Sequence, residues 1–599
     1  MTQHLTRRSF LRAAAGTALG AAATPLVAAQ ERRPPNIVFV LADDLGWAEL
    51  GCYGNRFNET PHLDRLAREG MRFTDAYAAA PVCSPMRVSF MTGQYPARVG
   101  ITDYLRPNDP KFLSPDLDAL PKALGRAGYA SCLIGKWHLM GDYAARKGDP
   151  KLHGFTEVVC SETRGIGGGD YWAPYRFNPA IQPRSEGEYL TDRLNREAVD
   201  FIERHRDEPF FCYLSTNAPH GPYLVGDGYS ARYRGQVPHA RANFYGMITC
   251  IDDNMGLLRA RLEELGLAEN TILVFMTDNG TSCGVSLDRQ QFVTDGYNAG
   301  MRGMKGSEYD GGHRTPLFMH WPAGSLVGGR DVTRLTANID MLPTLAELCG
   351  IDVPEEAEVY GKSIVPLLRG DDAEWPDRVI VTDSQRVEHP IKWRKSATMT
   401  DRWRLVNGTE LYDITADPEQ RTDIAEQHPG VVERLRAEYE AWWKLVSRRF
   451  DEYIPVVVGT EHEPETDLTG HDWHGDANPW SHGHIRSGMA CNGFWAIDAA
   501  EAGAYEFELR RWPKELDHPI TAGLPGKVVD WFTGGEALPL TEARIRVGDE
   551  ERAKPIPPGA KGVAFTFDLP AGETRLQTWL TDGAELSLGA YYVYVRRVG

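Results

Sequence analysis

The N-terminal half of the chain alternates uninterrupted apolar runs with stretches of helical periodicity. The apolar runs, which suit strands buried on both faces as in a parallel sheet, are 36–41, 210–214 and 271–276. The stretches between them in which apolar residues recur at helical spacing are 61–68, 190–205 and 244–265. Strands that alternate with helices predict an α/β sandwich around a central, mostly parallel sheet.

The pattern changes twice further along the chain. A helix around 341–349 is expected to close the first domain, and the strands and helix of a small unit are predicted at 378–383, 403–406, 410–413 and 431–446. Beyond residue 451, period-two alternation recurs at 504–509, 563–567, 576–580 and 590–595, which predicts an antiparallel β-sandwich. We therefore expect a catalytic domain over 30–375, a sheet-plus-helix subdomain over 376–450 and an added β-sandwich domain over 451–599.

The first residues have the pattern of a targeting segment. Arg7-Arg8 precede an Ala- and Gly-rich apolar run that ends in small residues near Ala29. This order predicts a signal peptide over 1–29, of the type that the twin-arginine export machinery reads, and hence a periplasmic or secreted protein. A membrane anchor is the alternative, but the run is short for a span, so no stable anchor is expected.

The net charge and the cysteine content bear on the binding partners and on disulfide formation. The chain carries 65 Lys+Arg against 83 Asp+Glu, a net charge of −18, which loss of Arg7, Arg8 and Arg12 with the signal would lower to −21. This balance argues against a nucleic-acid partner, which requires basic patches. The chain has nine cysteines and no CxxC, and export after folding in a reducing compartment predicts mostly buried free thiols.

Oxygen ligands follow two of the predicted buried strands. Asp43-Asp44 come after the first run, and Asp278-Asn279 come after 271–276. Ligands gather at the carboxyl ends of strands in such sheets. Three carboxylates and an amide oxygen suit Ca²⁺, or less well Mg²⁺, and not Zn²⁺. Each pair taken alone is equally well explained as a helix cap or a turn.

The remaining candidate residues are a cysteine and several cationic side chains. Cys83-Ser84-Pro85-Met86-Arg87 precedes a predicted helix at 88–91, where Cys83 is either a buried structural residue or a nucleophilic thiolate. The others are Lys136 and His138 after a predicted strand, His220 in a Pro-flanked loop, and Lys305 in a Gly-rich one. Singly these are ordinary surface or loop residues, but together they could bind a tetrahedral anion and move a proton.

Over residues 36–450 the chain resembles the type I, formylglycine-dependent sulfatases of the alkaline phosphatase superfamily. Cys83–Arg87 matches the family's modification motif, and Gly128–His138 matches its second motif, G-Y-x-[ST]-x-x-x-G-K-x-H. The stretches 36–54 and 301–316 also resemble the family. Met86 departs from the pattern, because many members carry Ser or Ala there.

The resemblance implies that a formylglycine-generating enzyme converts Cys83 to Cα-formylglycine. One hydroxyl of the hydrated aldehyde would attack sulfur, and deprotonation of the other would expel sulfate. Asp43, Asp44, Asp278 and Asn279, with the modified Cys83, would hold Ca²⁺. Arg87 and His138 would orient the nucleophile, with His138 as the base for sulfate elimination. Lys136, His220 and Lys305 would bind sulfate oxygens, and His220, with Lys305, would protonate the leaving alcohol.

The implied function is hydrolysis of a sulfated carbohydrate or an aryl sulfate, an expectation that rests on analogy for the carbohydrate. Two alternatives stay open: a phosphonate or phosphodiester hydrolase of the same superfamily, and a non-catalytic polysaccharide-binding protein that uses the C-terminal domain. The acidic net charge disfavours long, densely sulfated chains and favours an oligosaccharide or a chain end.

Two further groups have more than one interpretation. His313 and Arg314 could line a substrate pocket, although a turn at Gly311-Gly312 and a buried ion pair of Arg314 are favoured. An aromatic and His-rich segment could stack on sugars or form a domain edge packed on the catalytic domain; its residues are Trp473, His474, Trp480, His482 and His484.

Overall fold

The computed structural model describes most of the chain from residue 33 onward. The described ranges are 33–107, 109–160, 171–175, 181–354, 357–371, 375–387, 390–450, 453–475, 477–526 and 534–599. The predicted signal peptide, 1–29, lies outside the described residues.

A central eight-stranded sheet organises the catalytic part. Its strands, in spatial order, are Arg330–Val332, Met71–Phe73, Leu317–His320, Thr271–Thr277, Asn36–Ala42, Phe210–Ser215, Ala130–Gly135 and Glu157–Cys160. Asn36–Ala42 pairs in parallel with both of its neighbours, whereas Leu317–His320 runs antiparallel to the strands on either side of it. The predicted α/β sandwich with a mostly parallel sheet is confirmed.

The alternation of side chains along Asn36–Ala42 divides the core into two layers. Ile37, Phe39 and Leu41 pack with one set of helices, and Val38 and Val40 pack with the other. The helices of the first layer are Cys83–Thr92, Leu120–Arg126 and Met341–Leu348; those of the second are Pro61–Glu69, Leu190–Arg204 and His239–Glu264. Full burial of each large apolar side chain contributes about 1.5–3 kcal/mol, which fixes the sheet between the two layers.

The helix after the Cys83 motif begins earlier than the sequence predicts. Cys83 is its first residue, after extended Val82, and Pro85 fits the first turn because the amide it lacks would have no helical partner there. The helix ends at Gly93, whose φ of +67° is the left-handed conformation that glycine adopts without strain. Cys83 therefore lies at the positive end of the helix dipole.

A small antiparallel sheet follows the catalytic part. Its strands are Ile380–Asp383, Ser396–Met399, Trp403–Val406 and Glu410–Asp413, and the helix Pro429–Val446 packs on it. Further short helices are Pro96–Val99, Asp227–Ser230, Asp310–His313, Val365–Arg369 and His482–Arg486. Two strand pairs also flank the sheets, Ala76–Tyr77 with Thr336–Ala337 and Val285–Leu287 with Val293–Gly296.

The C-terminal part is a β-sandwich, as its alternation predicts. One sheet contains Val456–Val458, Phe494–Ala499, Gly572–Thr581, Glu542–Val547 and Glu550–Pro555, and Ser587–Leu588 pairs with the end of Gly572–Thr581. The other contains Glu465–Thr469, Tyr592–Arg597, Gly503–Arg510 and Val563–Leu569. Along Val563–Leu569 every second residue is buried, because one face of the strand packs on the opposite sheet. The residue boundaries predicted at 376 and 451 stay predictions.

Two other sequence expectations concern thiols and membranes. The described cysteine side chains are free thiols, in line with the prediction: Cys52, Cys83, Cys132, Cys212, Cys250, Cys283, Cys349 and Cys491. Across the described ranges, no helix combines the length and the apolar character that a bilayer crossing requires.

Candidate active site

All of the sequence-predicted site residues lie at one edge of the central sheet. Asp43 and Asp44 follow Asn36–Ala42, and Asp278 and Asn279 follow Thr271–Thr277. The loops after the two strands on the other side of Asn36–Ala42 supply Lys136, His138 and His220, and Lys305 and the first turn of the Cys83 helix complete the group. Parallel strands bring their carboxyl ends to the same edge, which is why residues so far apart in sequence meet.

The acidic residues form a compact cluster around Cys83. One ligand atom each from Asp43, Asp44, Cys83 and Asp278 lies within 4.8 Å of the others, and all four residues are buried. The Asp44 backbone adopts a left-handed φ of 71°, and its N–H donates to Asp278 Oδ1 at 3.0 Å. Asp is one of the few residues that tolerate this conformation. The turn of the backbone at Asp44 brings the carboxylates of Asp43 and Asp44 into the same cluster.

Asn279 completes this set with an amide oxygen. Its Nδ2 donates to Asp44 Oδ1 at 2.9 Å and to the Gly280 carbonyl at 3.0 Å. Its Oδ1 is buried and, among the described residues, has no hydrogen-bond donor. A buried acceptor without a donor is costly unless a cation satisfies it. Three carboxylates and this oxygen therefore fit a hard divalent cation.

Three cationic side chains balance the three carboxylates. Lys136 Nζ lies 2.5 Å from Asp43 Oδ2, and Lys305 Nζ lies 2.5 Å from Asp44 Oδ1. The third is Arg87, and the protein groups of this centre therefore sum to about zero charge. A divalent cation would leave the centre positive, and such a field attracts an anionic ester despite the acidic surface.

Cys83 is held between these opposite charges. Its Sγ accepts from Lys305 Nζ at 3.4 Å and lies 3.6 Å from Asp43 Oδ1. Burial raises the pKa of the thiol to about 11, because it outweighs the attraction of Lys136 and Lys305 for a thiolate. The unmodified residue is therefore a neutral thiol near neutral pH, which is a weak nucleophile.

Arg87 ties the Cys83 helix to the strand ends. Its Nη1 donates to the Lys136 carbonyl at 3.0 Å, to Tyr213 Oη at 3.3 Å and to Ser215 Oγ at 2.5 Å. Its Nη2 lies 3.5 Å from Asp278 Oδ2. The sequence interpretation missed Tyr213 and Ser215, although the position of Ser215 at a strand end was a usable signal.

The two histidines use different ring nitrogens for their backbone hydrogen bonds. His138 has a φ of 59°, and its Nε2 donates to the Leu105 carbonyl at 2.7 Å, so its Nδ1, which has no partner among the described residues, carries the lone pair. Burial, with Lys136 and Arg87, holds the pKa of His138 well below its usual range. His220 Nδ1 donates to the Gly221 carbonyl at 2.6 Å, which leaves Nε2 facing Asp44 Oδ2 at 3.6 Å. Burial lowers the pKa of His220 to about 4.

His313 and Arg314 have structural partners, as the favoured interpretation holds. His313 is buried and contacts the Glu308 carbonyl at 3.2 Å, and Arg314 donates to the Thr74 carbonyl at 2.8 Å and pairs with Asp75 at 3.0 Å. The expected turn at Gly311-Gly312 takes the form of a single helical turn, Asp310–His313. This turn packs so closely that a Cβ on Gly280 would lie 2.0 Å from the Gly311 carbonyl oxygen.

The aromatic and His-rich segment divides between core and edge. Trp473 is 1% exposed inside the C-terminal sandwich, so the sugar-stacking interpretation is wrong for this residue. His474 is buried against Phe494 and Tyr453, whereas His482 is exposed. Trp480 and His484 contact each other, with ring centroids 5.2 Å apart, at the edge that faces the catalytic part.

Comparison with known proteins decides the family. The sequence model described as Sulfatase matches residues 35–351, which is more than half of the chain. The chain belongs to the type I sulfatase family. A second model, described as N-sulphoglucosamine sulphohydrolase, C-terminal, matches residues 304–442 of this sulfatase.

Individual relatives agree with this assignment. Steryl-sulfatase of Mus musculus is 30% identical and matches over 65% of this chain and 72% of its own length. N-acetylgalactosamine-6-sulfatase of Canis lupus familiaris is 33% identical, over 59% of this chain and 68% of its own. The crystal structure of Ps i-CgsB in complex with k-i-k-neocarrahexaose superposes with a TM-score of 0.61 at 28% identity, covering 70% of this chain and 99% of that one. The protein is therefore an enzyme of alkaline-phosphatase-like fold that hydrolyses sulfate esters.

Proposed function

We propose that this sulfatase removes sulfate from a sulfated carbohydrate, or from an aryl sulfate, with a formylglycine made from Cys83 and with Ca²⁺ held by Asp43, Asp44, Asp278 and Asn279. The observation that carries the proposal is the four-residue cluster around Cys83, whose ligand atoms lie within 4.8 Å of one another. Lys305 Nζ, 3.4 Å from Cys83 Sγ, adds a cation where sulfate oxygens would lie.

The donor set favours Ca²⁺ over Mg²⁺. Ca²⁺ accepts six to eight oxygen ligands in flexible geometry, whereas Mg²⁺ demands an octahedron and keeps several waters. The Oδ1 of Asn279, buried without a donor among the described residues, is the atom that most needs a cation. When bound, the ion would polarise the nucleophilic hydroxyl and screen the charge of the sulfate.

The side chains around the cluster suit distinct roles. Lys136, Lys305 and His220 lie around the carboxylates and would hold sulfate oxygens. His138 would take a proton at Nδ1 during sulfate elimination, since its Nε2 is committed to the Leu105 carbonyl. Arg87 would fix the first turn of the Cys83 helix rather than exchange protons, because it donates to three groups on the neighbouring strand ends.

His220, together with Lys305, would protonate the leaving alcohol. The Nδ1 of His220 donates to the Gly221 carbonyl, so Nε2 is the atom that can deliver a proton to the ester oxygen. Asp44 lies 3.6 Å from this nitrogen and would stabilise the imidazolium form.

The relatives support the substrate class. One is a sulfatase of N-acetylgalactosamine-6-sulfate by its name, and a structural neighbour is bound to a neocarrahexaose. We extend a saccharide substrate to this chain on that basis. The same proposal includes maturation by a formylglycine-generating enzyme, export by the twin-arginine machinery and a periplasmic or secreted location.

Paired substrates separate this proposal from its rivals. Aryl sulfate, aryl phosphate and aryl phosphonate esters should be offered to the protein coexpressed with a formylglycine-generating enzyme, with Cys83→Ala as the control. We expect the sulfate ester to be turned over fastest and the variant to be inactive. A phosphate or phosphonate preference would instead support the phosphonate hydrolase alternative, which has a structural neighbour of the same fold at 21% identity. No turnover of any ester would support the non-catalytic alternative.

A further inference from the structure

A second polar cluster lies beside the active site, where the C-terminal sandwich meets the catalytic part. The loop Asp103–Arg106 comes from the catalytic part, and the segment Ser384–Arg386 follows the strand Ile380–Asp383 of the small antiparallel sheet. His471, Asp472 and Trp480 come from the C-terminal sandwich. Tyr104 and His471 meet edge to face at 6.1 Å, and Arg106 pairs with Asp472 at 3.4 Å. The proposed function does not use any of these side chains.

Arg386 is at the centre of this cluster and is held by aromatic rings. Its guanidinium carbon lies 5.5 Å from the Tyr104 ring centroid and 4.6 Å from that of Trp480. Its buried Nε has no hydrogen-bond partner among the described residues, and its contact to Asp103 Oδ1 is long, at 3.6 Å. Stacking orients a guanidinium without using its hydrogen-bond donors, which stay available for a planar or tetrahedral anion.

Arg386 Nη1 lies beside the loop that carries Lys305. A Cβ built on Gly306, the neighbour of Lys305, would lie 3.9 Å from Arg386 Nη1 and 3.6 Å from Ser384 Oγ. Ser384 is 1% exposed, and its hydroxyl has no partner among the described residues. On the other side, the Tyr104 and His138 rings lie 6.2 Å apart. Arg386 and Ser384 therefore adjoin the loop that carries Lys305, and Tyr104, one of the rings that supports Arg386, adjoins His138.

The surrounding charges leave Arg386 only partly neutralised. Asp103 is shared, since its carboxylate also lies 3.7 Å from Arg106 and 3.9 Å from His471. Asp472 is committed to Arg106 on the far side of the cluster. Burial, with a further contribution from Arg386, lowers the pKa values of Lys395 and His484, while Glu308 acts on Lys395 in the opposite direction. The cluster thus keeps a positive edge toward Gly306.

We propose that Arg386, together with Ser384 Oγ, binds a second anionic group of the substrate, so that the preferred substrate is a saccharide with a sulfate or carboxylate beside the scissile sulfate. The proposal rests on the proposed function, because the scissile sulfate defines the neighbouring position. An arginine fork matches such groups in bidentate geometry. The C-terminal sandwich then contributes to specificity, since Trp480 forms one face of the arginine's aromatic support.

The test compares Arg386→Gln with wild type on three esters: a monosaccharide with two sulfates on neighbouring positions, its singly sulfated counterpart and an aryl sulfate. We expect wild type to prefer the doubly sulfated sugar. The variant should lose about tenfold to a hundredfold more kcat/KM on that sugar than on the aryl sulfate, mainly through KM, as expected for a charged hydrogen bond. Arg386→Lys should keep part of the preference, and Arg369→Gln, at an exposed arginine, should keep all of it.

Two further measurements test the proposal without relying on turnover or on the folding of a single variant. In the Cys83→Ala background, calorimetric titration should show that the doubly sulfated sugar binds more weakly when Arg386→Gln is added. Trp480→Ala, on the other domain, should reduce the same preference. Equal losses on all three esters, or a wild type without preference for the second anion, would overturn the inference. A wild type that fails to hydrolyse the aryl sulfate would instead contradict the proposed function.

Discussion

Two arginines of this sulfatase make opposite use of the same side chain. Arg87 lies at the strand ends, fully buried, with hydrogen bonds to Ser215, Tyr213 and a carbonyl and an ion pair to Asp278. Arg386 lies between the domains, stacked on two aromatic rings, and its Nε lies 3.6 Å from Asp103 Oδ1. The buried Nε has no hydrogen-bond partner among the described residues in either arginine. We infer from this difference that an arginine with three hydrogen bonds from Nη1 fixes the reacting centre, whereas an arginine held mainly by stacking keeps donors for the substrate.

Charged side chains also play different roles at the reacting centre and around Arg386. At the centre, three carboxylates and three cations lie in contact, which preorganises the field for an anionic transition state without reorganisation during the reaction. We call the second polar cluster, which contains Asp103, Arg106, Arg386 and His471, the rim. There the Asp103 carboxylate is shared among three partners at 3.6 Å or more, so an incoming anion can compete with it for Arg386. Perturbation of the centre should therefore affect all sulfate esters, whereas perturbation of the rim should discriminate among them.

The largest effect is expected from loss of the nucleophile. Cys83→Ala removes the residue that would become formylglycine, and kcat on every sulfate ester should fall by at least about 10⁴-fold, as for other covalent nucleophiles. Steady-state assays on an aryl sulfate and a sulfated sugar measure it, with Cys283→Ala as the control that stays active. Retention of activity in Cys83→Ala would contradict the role of the centre.

The next effect concerns sulfate elimination. His138→Gln removes the free Nδ1 lone pair, so kcat should fall by about 10²–10⁴-fold, the usual contribution of a general base. The sulfated enzyme should then accumulate, giving a burst of released alcohol equal to the enzyme concentration in rapid-quench measurements. A uniformly slow reaction without a burst would show that His138 acts before the sulfated enzyme forms.

Calcium should stabilise the centre measurably. A cation that binds only the folded state adds about 2.7 kcal/mol at a concentration about 100 times its Kd. The thermal unfolding midpoint of chelator-treated protein should therefore rise when Ca²⁺ is added, and Asp278→Asn should reduce that rise. If Ca²⁺ leaves the midpoint unchanged while Mg²⁺ or another cation raises it, the assignment of the ion is wrong.

The smallest effect is expected at the rim. Asp103→Asn weakens the contacts to Arg106, Arg386 and His471, which are partly exposed and therefore worth about 1 kcal/mol together. The unfolding midpoint should fall by about 1 °C in calorimetry, because the entropy of unfolding grows with chain length, and Asp371→Asn, at an exposed position, is the matched control. A midpoint that does not move would mean that these three contacts add nothing to the stability of the fold.

The sequence predicts the centre far better than the rim, for a topological reason. Buried parallel strands are recognisable in the sequence as apolar runs, and their carboxyl ends lie at the same edge of the sheet. The sequence alone therefore predicts that Asp43 and Asp278 lie close together. Arg386, Tyr104 and Trp480 belong to no shared motif, and only the packing of the C-terminal sandwich brings them together. Trp473 shows the same limit, because composition alone could not distinguish a core tryptophan from one that stacks on sugars.

The central claim is that Cys83 is matured into the nucleophile of this centre. Mass spectrometry of the Cys83 peptide, from protein coexpressed with a formylglycine-generating enzyme, tests it most directly. The account predicts a peptide in which an aldehyde replaces the thiol, in a fraction that rises in proportion to aryl sulfate turnover across preparations. A peptide that carries only the thiol, in protein that nonetheless hydrolyses the sulfate ester, would contradict it.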